Sequence, residues 1–180
     1  MSMQRLFVAL AIQDDLAQRL ALLQAGVPGA HWQTREQLHL TLRFIGDVDG
    51  LSAAAINDAL AAIQAPAFEL SPHGVGEFGG KHPHALWVGV RPSEALSHLQ
   101  RKIETALRRA GVAADSQKYT PHITLARLAR GTNTGRVIDW LTDHALFSAA
   151  PFAVAGFILY SSLLTSDGSI YRAERAYRLR

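Results

Sequence analysis

The chain has no cysteine among its 180 residues, which excludes a disulfide framework, thiolate metal sites and a cysteine nucleophile together. No apolar run reaches the roughly 18 residues of a membrane-crossing helix, and residues 1–10 are too few and too polar ahead of Asp14 for a secretory leader. A soluble, cytoplasmic protein without a membrane role is therefore expected. The sequence also lacks a Gly-x-Ser-x-Gly elbow and a glycine-rich loop ending in Lys-Ser/Thr, so neither a serine nucleophile nor a P-loop has support. Excess charge is small, +3 overall, and much of it is arginine, four of which fall in residues 172–180. Such a balance permits a polyanionic partner without demanding one.

What is present is enough apolar content, 48% of residues, to bury a sizeable core in one domain. Residues 5–12 form a β-rich run, with Asp14 as a candidate helix N-cap. Leu16, Leu20 and Leu23 then mark one helical face that Gly26 and Pro28 close. A second helix is expected from Ser52, with Ile56, Leu60 and Ile63 inward and Pro66 at its end. Strands follow near residues 68–75 and 85–90, joined through a Gly- and His-rich connection. Ser93 can cap a third helix carrying Leu96, Leu99, Ile103 and Leu107, whose outer face bears Arg101, Lys102, Arg108 and Arg109. A fourth helix from about Asn133 turns Val137, Ile138 and Leu141 inward. The chain finishes as a hairpin about Ser166-Asp167-Gly168. No low-complexity linker separates residues 1–91 from 92–180, and these read as pseudo-repeat halves of a single domain.

Two strands carry the same phrase, His39-Leu40-Thr41-Leu42 and His122-Ile123-Thr124-Leu125, 83 positions apart. Side chains alternate along a strand, so each copy offers one imidazole and one hydroxyl on one face while the aliphatic residues fill the other. Two such pairs suit a phosphodiester held between them. Neutral imidazole takes a proton from the nucleophile, protonated imidazole gives one to the leaving oxygen, and Thr41 and Thr124 hydrogen-bond the non-bridging oxygens. Arg127 would add a charge-assisted contact. Its offset of three from Thr124 turns it to the opposite face under strict alternation, so a bulge, a strand end or the length of the side chain must bring it back.

Eight histidines, with His82 and His84 beside His73, raise the question of a metal, yet no carboxylate cluster or further histidine at ligand spacing accompanies them. No metal and no cofactor are expected. Phe44, Phe78 and Trp87 suit a core, and Phe44 is the candidate to stack on a base.

The segments 5–9, 38–46, 86–90, 119–127 and 159–162, together with Trp32, closely resemble the bacterial and archaeal RNA 2′,3′-cyclic phosphodiesterases, also called 2′-5′ RNA ligases, of the two-histidine phosphoesterase superfamily. The resemblance implies a bilobal α+β fold with two pseudo-symmetric lobes, antiparallel sheets lining a central cleft and helices outside. It implies metal-independent hydrolysis of an RNA-terminal or nucleotide 2′,3′-cyclic phosphate to a 2′-phosphate, with reversible 2′-5′ joining in some members. His39 is then the proton donor to the 3′ leaving oxygen and His122 the proton acceptor that activates water. Partners would be RNA ends or nucleotides, with no obligatory protein partner and a monomer expected. Two alternatives stay open: a non-catalytic RNA-end or nucleotide-binding module, and a two-histidine esterase of another small cyclic phosphate.

Overall fold

The computed structural model describes residues 3–180. Among these residues ten strands and four α-helices form in the order β1 (Gln4–Ala11), α1 (Asp14–Ala21), β2 (Ala30–Trp32), β3 (His39–Val48), α2 (Gly50–Ala61), β4 (Phe68–Leu70), β5 (Pro72–Phe78) and β6 (Ala85–Val90). They continue with α3 (Glu94–Arg109), β7 (His122–Leu128), α4 (Thr134–His144), β8 (Phe152–Val154), β9 (Gly156–Thr165) and β10 (Gly168–Arg178). A short 3₁₀ turn at Arg35–Gln37 leads into β3. The class is α+β, as expected, and every strand pairing is antiparallel.

One sheet runs β10-β9-β1-β3-β7-β6-β5, with β2 also on β7, and β4 and β8 form a separate two-stranded ribbon. The two His-x-Thr strands are its middle. They meet at the pair Leu40–Ile123, so the sheet consists of two four-stranded lobes hinged between the motifs. The lobe of β3 is completed by β9 and β10 from the far end of the chain, and the lobe of β7 takes β2, β5 and β6 from earlier in it. Sequence neighbours are thus exchanged across the hinge.

The helices follow their apolar stripes. Leu96, Leu99, Ile103 and Leu107 of α3 are buried, and Ser93 accepts from the Leu96 amide as its N-cap. Asn133 caps α4 in the same manner. Three details differ from expectation. Gln13, not Asp14, occupies the first cap, without a side-chain bond, and Asp14 opens the helix with its carboxylate 2.6 Å from Arg35. Helix α2 begins at Gly50, two residues before Ser52, with Asp49 capping through the Ser52 amide at 2.8 Å. In α4 the buried partner of Val137 is Trp140, whose indole N–H donates to the Leu23 carbonyl at 2.9 Å, and Ile138 is exposed. A polar atom with a fixed backbone partner lets tryptophan enter the core there.

Each central strand carries a bulge at an equivalent place, and β3 has a second irregularity further on, at Ile45. Along β3, Ala9 pairs with Thr41 and Val8 with Arg43, leaving Leu42 as an extra residue. Along β7, Trp87 pairs with Thr124 and Leu86 with Ala126, leaving Leu125 extra. A bulge of this kind shifts the side chains that follow it to the other face. After Leu42 and Leu125, therefore, Arg43 and Ala126 point inward, while Phe44 and Arg127 return to the face of the histidines. Arg43 is only 7% exposed. Its Nε donates to Glu104 of α3 at 2.5 Å and its terminal nitrogens to the carbonyls of Phe44 and Ala113. That satisfied guanidinium ties β3 to the helix layer on the sheet face opposite the histidines.

Candidate active site

On the face shared by the two motifs, each histidine has the same support. The Nδ1–H of His39 donates to the Gln37 carbonyl at 2.7 Å, and the Nδ1–H of His122 donates to the Thr120 carbonyl at 2.6 Å. In both cases the acceptor is the backbone two residues upstream. A carbonyl oxygen only accepts, so the proton resides on Nδ1 and Nε2 is the nitrogen left free for chemistry. Gln37 holds a second element in place, since its side-chain N–H donates to the Ser169 carbonyl of β10 at 2.9 Å.

Aromatic rings pack around each imidazole. Phe7 lies at 5.0 Å from His39 and Tyr171 at 5.1 Å edge-on, with Tyr160 behind at 6.5 Å. On the other lobe Phe78 meets His122 edge-on at 4.8 Å, and Trp87 lies at 5.9 Å. The register supplies these neighbours: Phe7 and Trp87 stand on the strands flanking β3 and β7, and Tyr160 and Phe78 one strand further out. A small residue pairs with each histidine, Ala11 with His39 and Gly89 with His122. Gly76 has a further role, because a Cβ there would run into the Trp87 ring.

Burial among these rings favours the uncharged imidazole and lowers the pKa of both histidines. The Nδ1–carbonyl bonds oppose this, while Arg127 reinforces it for both, and His122 does so for His39. The free protein thus holds two neutral imidazoles more readily than free histidine would. A phosphate anion between them supplies the opposite field.

Two adjoining cavities share Thr41 and Phe44. One of about 660 Å³ runs from His122 past Phe78, His84 and Tyr119, and another of about 350 Å³ is lined by His39, Phe7, Arg127 and Tyr171. Of the sequence-predicted residues, His39, Thr41, Phe44, His122 and Arg127 all line this cleft. Thr124 is half-buried on the same strand face and is paired with Trp87. Phe44 is 52% exposed at the place where the cavities join, outside the core. His73 and His82 line neither cavity, and His84 joins through its contact with Phe78. Among the described residues no three histidine, cysteine or carboxylate side chains converge as a metal-binding group. Sequence reasoning assigned no role to Phe7, Tyr160, Tyr171 or Tyr119. Tyr119 donates to the Thr41 carbonyl at 3.1 Å and so binds the approach to His122 onto the first motif strand. Alternation in β1 was the available signal for Phe7, but only the register shows which strand it flanks.

Duplicated His-x-Thr strands at the centre of a bilobal antiparallel sheet, with matched imidazoles at the hinge, define a class of protein built on a paired-histidine cleft. The chain belongs to the 2′-5′ RNA ligase superfamily, whose family profile matches residues 11–164. It is 29% identical over 177 residues to an RNA 2′,3′-cyclic phosphodiesterase of Archaeoglobus fulgidus, covering 96% of this chain and 99% of that one. It is 30% identical over 176 residues to the protein of that name from Thermotoga maritima, covering 93% and 91%. The structure is similar to that of Escherichia coli LigT complexed with 3′-AMP, with a TM-score of 0.82 at 22% identity over 99% of each chain.

Proposed function

We propose that the protein hydrolyses RNA-terminal or nucleotide 2′,3′-cyclic phosphates to 2′-phosphates by a two-histidine mechanism that needs no metal. The observation that carries this is the matched pair of imidazoles, each with Nδ1 committed to a carbonyl and Nε2 free. Neutral His122 takes a proton from water as the water oxygen bonds to phosphorus. The bond from phosphorus to O3′ breaks, and His39, protonated in the complex with the anionic substrate, gives its Nε2 proton to O3′. The products are a 2′-phosphate and a free 3′-hydroxyl, and the proton gained by His122 restores the balance on release. Thr41, Thr124 and Arg127 hold the non-bridging oxygens, and Phe44 stacks on the base.

An RNA 5′-hydroxyl in place of water gives a 2′-5′ phosphodiester with the same proton movements, so ligation needs no further residue. The names of the relatives support the hydrolytic reading. A pure binding module does not explain two imidazoles with the same tautomer at one hinge, since binding an anion asks for no acid-base pair. The test is incubation of the protein, in excess chelator, with an oligonucleotide ending in a 2′,3′-cyclic phosphate. The expected product carries a 2′-phosphate. A 3′-phosphate, or turnover restored only by added zinc or manganese, overturns the mechanism.

A further inference from the structure

Across the sheet from the cleft, α2, α3 and β10 enclose two adjoining grooves that share Ile63 and Gln64. Their cations are Arg101, Lys102 and Arg109 of α3, and Arg175 and Arg178 of β10 followed by Arg180. No aspartate or glutamate side chain lines either groove. Arg101 is neutralised by Glu94 at 2.8 Å, but among the described residues Arg109, Arg175 and Arg178 have no ion pair. Arg175 is nevertheless positioned, its guanidinium 5.6 Å from the centre of the Tyr177 ring. Tyr177 is in turn fixed to α2 by donating to Asn57 at 2.5 Å.

Strand β10 connects these grooves to the cleft. It is the edge strand of its lobe, and Tyr171 near its start touches the His39 ring. At about 3.3 Å per strand residue, Arg175 lies roughly 13 Å and Arg178 roughly 23 Å beyond Tyr171, with exposed Arg172 between. We propose that this edge and the groove behind it bind the phosphate backbone of a single-stranded RNA whose end occupies the cleft. The inference rests on the RNA-end reading above. Unpaired guanidiniums at a spacing of a few nucleotides fit a chain of phosphates, each of which takes a forked contact. A concave groove floored by Ala59, Ala62 and Ala106 admits a strand better than it meets a flat bilayer surface.

The test uses the intact chain and a variant, Arg109→Gln/Arg175→Gln/Arg178→Gln, none of which lines the cleft. The probe is an oligoribonucleotide of about a dozen residues with an ordinary 3′-hydroxyl, titrated across a series of salt concentrations. The wild-type protein should bind it with a salt-dependent Kd. The variant should bind more weakly, with the slope of log Kd against log salt reduced by about two, since each single-strand phosphate that an arginine neutralises adds about 0.7 to it. Turnover of a mononucleotide 2′,3′-cyclic phosphate should be unchanged. An unaltered Kd and slope overturns the proposal, as does binding of phosphatidylserine vesicles through these arginines without RNA binding. Failure of the RNA-end reading looks different, because cyclic ends would not turn over while the arginines still governed oligonucleotide binding.

Discussion

Phe44 and Arg127 occupy the same place in the two lobes: each is the second residue after the bulged leucine of its motif strand, and each returns to the histidine face. One lobe therefore presents an aromatic ring where the other presents a guanidinium, and the pseudo-symmetric cleft gains a direction. A charged group and a flat apolar group at opposed positions suit the phosphate and the base of one nucleotide.

If Arg127 holds the phosphate, Arg127→Ala should raise KM for a mononucleotide cyclic phosphate and weaken binding of the 2′-phosphorylated product by roughly 10- to 100-fold, the scale of one charge-assisted hydrogen bond. Arg127→Lys should recover only part, because an ammonium does not reproduce the planar fork. Steady-state kinetics and product titration at fixed ionic strength check this, and unchanged values remove Arg127 from the site.

His39→Ala and His122→Ala should each lower turnover by about 10²- to 10⁴-fold. If the imidazoles act as one unit, the double variant should lose much less than the product of the two. Multiplicative losses would show two independent roles.

Both pKa shifts are downward, and this sets the pH dependence. In kcat/KM, the acid limb of a bell-shaped profile should lie below the ordinary imidazole value of about 6.5, as neutral imidazole persists to lower pH in the free protein. The limbs belong to the pair, not to either residue alone.

The same shifts act on stability. A native imidazole of lowered pKa binds fewer protons than its unfolded counterpart, so its contribution is complete above about pH 6.5 and is lost as pH falls through the lowered native values. Urea unfolding at pH 7.5 and 5.5 should show a larger acid loss for the wild-type chain than for His39→Asn/His122→Asn. Equal losses would assign the acid sensitivity to other groups.

Arg43→Ala should destabilise the fold by about 3 kcal/mol, since it strands partly buried Glu104 and the carbonyls of Phe44 and Ala113. Arg43→Met/Glu104→Gln should cost less than the sum of its single changes. Denaturant titration of the wild type and these variants decides the point.

Much of this was written locally. The helix stripes, the cap at Ser93, the hairpin about Ser166-Asp167-Gly168 and the two His-x-Thr phrases depend on contacts within a few residues, which composition and spacing report directly. What lay beyond the sequence was relational. Nothing in Thr-Leu-Arg-Phe or Thr-Leu-Ala-Arg announces a bulge, because the extra residue is defined only against a partner strand, and strict alternation consequently misplaces both Arg43 and Arg127. The aromatic rings about each histidine come from strands distant in the chain, and their places follow from a register closed by β9 and β10 returning to the N-terminal lobe. Residue types and local period determined which groups exist and which strand face the histidines share. Long-range strand pairing decided which of them meet, because a pairing is a property of two segments and is encoded in neither alone.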